Sequence, residues 1–131
     1  HKGEINMNKQ EKQELYKAFV ECFGKKTCKD KDNGKYVVYW GSLGEPPEFY
    51  YDVVQYVQHF NYIIKAIKQY GIDICWYGRE EDKEDICRVT GYIIEQDKCA
   101  FTEAGNDLDL LVMQAVVAIN KYEKANAHDK A

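Results

Sequence analysis

The sequence predicts an α+β fold, a layered sandwich in which a small, mostly antiparallel sheet packs with helices in the order α-β-α-β-β-β-α. Three observations carry the prediction. The segments 8–23 and 106–124 repeat apolar residues at helical spacing. Residues 72–102 hold three runs of β-type residues separated by turn residues. The 131 residues, 45% hydrophobic, suffice to close one core without a disulfide or metal to hold it.

In segment 8–23, Leu15, Ala18, Phe19, Cys22 and Phe23 form an apolar stripe opposed by Lys9, Lys12, Gln13 and Lys17, the pattern of an amphipathic helix. Gly24 stops it. A charged loop over 25–34 ends in the turn signal Asp32-Asn33-Gly34. A strand over 35–40, β-branched and aromatic throughout, is broken by the glycines and prolines of 41–47. From Phe49 to Tyr70 the apolar residues fit a helix period, although Val53 to Val57 fits an extended chain equally well. A helix is placed from about Gln58 to Tyr70, with Gly71 as its stop.

Strands over 72–77, 86–95 and 98–102 make an antiparallel meander, with the acidic run 79–85 as a solvated turn and Gln96-Asp97 as the second turn. The closing helix, 106–124, sets Leu108, Leu111, Val112, Ala115, Val116, Ile119 and Tyr122 on one broad face behind an Asn106 N-cap. The reading is one domain over 7–125, with 126–131 a polar tail and His1 to Asn6 an addition ahead of a start at Met7.

A net charge of -4 argues against a protein that holds duplex nucleic acid by phosphate neutralisation. No run of about 18 apolar residues and no signal peptide is present, so neither a membrane span nor secretion is expected, and the cytoplasm follows. Five scattered cysteines then read as free thiols. The regular spacing of Cys75, Cys87 and Cys99 fits one buried thiol per strand of the meander.

No metal-ligand spacing, phosphate-binding glycine loop or cofactor motif occurs. The recognition chemistry lies in rings and arginines. Tyr39, Trp40, Tyr50, Tyr51, Trp76, Tyr77 and Tyr92 fall in or beside loops, near the only two arginines, Arg79 and Arg88. Stacking rings with a guanidinium fork suit a nucleotide pocket, in which Trp40, Tyr50, Tyr51 and Trp76 cover the base while Arg79 and Arg88 pair with phosphate. The same rings suit a sheet core or a protein interface.

Three features over residues 45–125 resemble the small phage-encoded sandwich domains known as phage ABA sandwich or NinX-like proteins. They are the loop Pro46-Pro47-Glu48-Phe49-Tyr50, a helix ending at Tyr70-Gly71, and a closing helix that begins Asn106-Asp107-Leu108-Asp109-Leu110-Leu111-Val112. The resemblance implies a phage accessory protein in a bacterial host cell, in a class that includes proteins countering host defence by sequestering a nucleotide signal or blocking a defence protein. No catalytic residue comes with it.

The sequence therefore reads as a non-enzymatic binding protein, without cofactor, that sequesters a small nucleotide or blocks a host defence protein and self-associates as a homo-oligomer. A small hydrolase acting through His59 or Cys75 is a third reading.

Overall fold

The computed structural model describes residues 7–40, 49–77 and 86–129. The glycine and proline breaker after Trp40, the acidic run and Arg79 lie outside the described residues. Helix α1 (Lys9–Glu21) starts on a capping box. The Asn8 side chain accepts from the Glu11 N–H at 2.8 Å, while the Glu11 carboxylate accepts from the Asn8 N–H at 3.3 Å. Its apolar stripe buries Tyr16, Phe19 and Val20.

Among the described residues two antiparallel three-stranded sheets form, where a single sheet was expected, and the fold class is α+β. The chain divides into two compact units, Met7–Tyr62 and Ile63–Ala131. In the first, β1 (Lys26–Lys29), β2 (Tyr36–Trp40) and β3 (Phe49–Asp52) pair in sequence order. β1 lies within the stretch read as a charged loop. Its residues Lys26, Thr27, Cys28 and Lys29 carry little burial, and what makes them a strand is the ladder to β2, from Lys26 opposite Tyr39 to Lys29 opposite Tyr36.

The helix expected from Gln58 to Tyr70 is two helices, α2 (Val53–His59) and α3 (Tyr62–Tyr70). The left-handed backbone of Asn61, φ 55°, separates them, a conformation that Asn tolerates better than most residues. Asp52 caps α2 by accepting from the N–H groups of Val54 (2.9 Å) and Gln55 (3.3 Å), which settles Val53–Val57 as helix. The unit's core holds Phe19, Val20, Val38, Val53 and Val57, each no more than 1% exposed. An aromatic chain runs alongside: Phe19 meets Phe23 edge-on at 5.3 Å, Phe23 meets Tyr62 at 5.0 Å, and Tyr62 stacks with Tyr56 at 5.2 Å.

In the second unit the expected meander is present. β4 (Asp73–Trp76), β5 (Cys87–Ile93) and β6 (Lys98–Gly105) are joined between β5 and β6 by a 3-10 turn, Ile94–Gln96, that Asp97 closes with φ 50°. α4 (Leu108–Asp129) packs on β5 and β6. Its N-cap is Asp107, one residue later than expected: the Asp107 carboxylate accepts from the Leu110 N–H at 3.1 Å. Leu110, Leu111, Val112 and Met113 are all buried, so the helix start is enclosed on more than the one broad face read from its spacing. Among the described residues no helix is long and apolar enough to cross a membrane.

Candidate functional site

Strand β5 alternates strictly: Cys87, Val89, Gly91 and Ile93 are buried, while Arg88 and Tyr92 are exposed and Thr90 is half-buried. The buried set faces α4, whose Ile119 and Ala115 side chains lie within 4 Å of where a Gly91 Cβ would stand. The opposite face is open. It presents Arg88, Thr90 and Tyr92 from β5 beside Cys75 and Asp73 from β4, and Thr102 and Cys99 from β6.

Arg88 is fixed on that face. Its Nε donates to the Tyr77 hydroxyl at 2.8 Å and its Nη1 donates to Thr102 Oγ1 at 3.3 Å, while Thr102 Oγ1 lies 3.3 Å from Thr90 Oγ1. The hydrogen bond to Tyr77 raises an already high guanidinium pKa, so the group is a permanent cation. Among the described residues, two of the five N–H donors of the guanidinium are engaged, which leaves three for a ligand. Tyr77, 46% exposed, and Tyr92, 43% exposed, add two rings.

Of the residues singled out from sequence, Arg88 stands in this site, and Trp76 stands in the same sheet without sharing the face. Trp76 pairs with buried Cys87, and Arg88 pairs with Cys75, so strand alternation sends Trp76 and Arg88 to opposite sides. Trp40, Tyr50 and Tyr51 belong to the other unit. There Trp40 pairs with Phe49, Tyr39 with Tyr50, and Val38 with Tyr51. The Tyr51 ring is half-buried, stacks on His59 at 5.9 Å and meets Phe60 edge-on at 5.7 Å.

Burying one thiol per strand holds only for Cys87; Cys75 and Cys99 are exposed. The register gives the reason, since their partners Arg88 and Tyr92 lie on the open face. Among the described residues no three His, Cys, Asp or Glu side chains gather as metal ligands do. Thr90 and Thr102, which buttress Arg88, escape a reading by residue type. The spacing Arg88-x-Thr90-x-Tyr92 is the signal that finds Thr90, while Thr102 comes only with the β5–β6 register.

No protein-family model, curated protein or solved structure matches the chain.

Proposed function

We propose that this chain is a non-enzymatic binding protein that docks on a protein partner through the open face of β4–β6. The observation that carries this is Arg88, held by Tyr77 and Thr102 with three donors unspent and with half-exposed Tyr rings in the same sheet. Arg and Tyr are the residues enriched where protein interfaces concentrate their binding energy. The resemblance of residues 45–125 to phage sandwich domains adds the setting: a phage accessory factor that blocks a host defence protein. The partner presents a carboxylate to the guanidinium, the acceptor that its planar fork pairs with in two parallel hydrogen bonds.

Sequestration of a small nucleotide by the same face is a weaker reading of this geometry. Small-molecule sites bury 70–90% or more of their ligand, and among the described residues this strand face has no walls to do so.

The test takes host-cell proteins retained by the parent protein but not by Arg88→Glu, purifies the one that differs, and titrates it calorimetrically. Arg88→Ala should weaken that complex by about 1.5 to 3 kcal/mol, the range for hydrogen bonds to charged groups. The melting temperature should stay the same, because the side chain is exposed. Equal affinity for parent and Arg88→Ala would remove this face from the interaction.

A further inference from the structure

A cleft of about 460 Å³ opens between α1 and the turn joining β1 to β2. Three lysines line it, Lys9 and Lys12 from α1 and Lys35 from the turn. Tyr16, 8% exposed, and Val54 also line it and supply apolar surface. Both walls are held in place. The Gln13 side-chain oxygen accepts from the Tyr36 N–H at 3.0 Å, and the Asn33 side-chain oxygen accepts from the Lys35 N–H at 2.9 Å.

The carboxylates of α1, and that of Asp52, are turned to partners other than the three lysines of this cleft. Glu11 is turned back to the Asn8 N–H, and Glu14 accepts from the Tyr36 hydroxyl at 2.8 Å and from Gln10 at 2.9 Å. Glu21 pairs with Lys17 at 3.0 Å, and Asp52 caps α2. Among the described residues no ion pair or hydrogen bond engages the side chains of Lys9, Lys12 or Lys35. Lysines from both walls thus line one concavity, none of them held in an ion pair among the described residues, in a chain whose overall charge is negative.

We propose that this cleft binds a small phosphate-bearing organic anion of nucleotide size, with Lys9, Lys12 and Lys35 on the phosphates and the Tyr16–Val54 surface under the ring. The volume falls in the range of about 300 to 1,000 Å³ typical of ligand pockets. Ammonium groups serve as point-charge phosphate partners. A ring is needed on the ligand because a free phosphate would leave the apolar surface wet. The site is independent of the Arg88 face and of the partner proposed for it.

Titration of the full chain with ADP, inorganic pyrophosphate and adenosine tests the assignment. ADP should bind one per chain, at least tenfold tighter than adenosine, which lacks the phosphates, and tighter than pyrophosphate, which lacks the ring. Binding should weaken as salt rises. Lys12→Gln with Lys35→Gln should cost tenfold or more in ADP affinity at unchanged melting temperature, since both side chains are exposed. Arg88→Ala should bind ADP as the parent does. The proposal fails if neither anion binds or if the double lysine variant binds ADP like the parent. It also fails if pyrophosphate matches ADP, or if Arg88→Ala abolishes ADP binding while the lysine variant keeps it.

Discussion

The Tyr36 hydroxyl donates to Glu14 at 2.8 Å, tying the middle of α1 to β2 across 22 residues of sequence. That bond lowers the Glu14 pKa below its ordinary 4.5 and raises that of Tyr36 above 10.0. A lowered carboxyl pKa contributes stability above the unfolded value and loses it as pH falls through the folded one; a raised phenol pKa contributes below its unfolded value and loses it as pH rises through the folded one. The bond therefore acts across the neutral range and fails at both extremes. Tyr36→Phe should melt below the parent at neutral pH, with the gap closing as acid protonates Glu14, below its ordinary 4.5. A gap that ignores acid would mean that Glu14 is not the partner that matters. The thiols divide by environment in a similar way. Burial pushes the Cys87 thiol up and hides it, whereas Cys28, Cys75 and Cys99 are exposed. A thiol reagent should label those three quickly and Cys22 more slowly, and reach Cys87 only on unfolding. Fast labelling of Cys87 in the native state would contradict the packing of β5.

At the scale of elements, α4 approaches β5 closely because Gly91 has no side chain. A Cβ there would stand 2.9 Å from Ile119 Cδ1 and 3.4 Å from Ala115 Cβ. Ile119 is 2% exposed and has little room to yield. Gly91→Ala should destabilise the protein by about 1 to 3 kcal/mol, the usual cost of overpacking, read from denaturant midpoints. A neutral result would show that α4 can slide on the sheet. The elements that sequence located well carry their own periodic signal: α1, the β4–β6 meander and α4. Those it missed are set by partners distant in the chain. Strand β1 is short, polar and largely exposed, so its pairing with β2 rather than its composition makes it a strand. The break at Asn61 interrupts an apolar period that reads as continuous, and only the backbone shows it. Arg88 was legible because arginine is scarce here. The lysine cleft was not, because lysines opposite an apolar stripe look like any solvated helix face until the β1–β2 turn is placed against them.

For the whole molecule, helical spacing and runs of β-type residues pointed to the α+β class, but one sheet and two sheets leave the same local signals. Both sheets consist of three antiparallel strands in sequence order, and what separates them is which strands pair. Among the described residues, each unit is also one uninterrupted stretch, 7–62 and then 63–129. No strand of the first sheet waits for a partner from the second. Synthesis therefore meets the two units one after the other. At about 5–20 residues per second the ribosome needs several seconds to deliver the second stretch. Small domains commonly fold faster than that. The aromatic chain from Phe19 to Tyr56 and the lysine cleft, both carried by the first stretch, can thus be in place on the nascent chain before α4, the last element of the second, is complete.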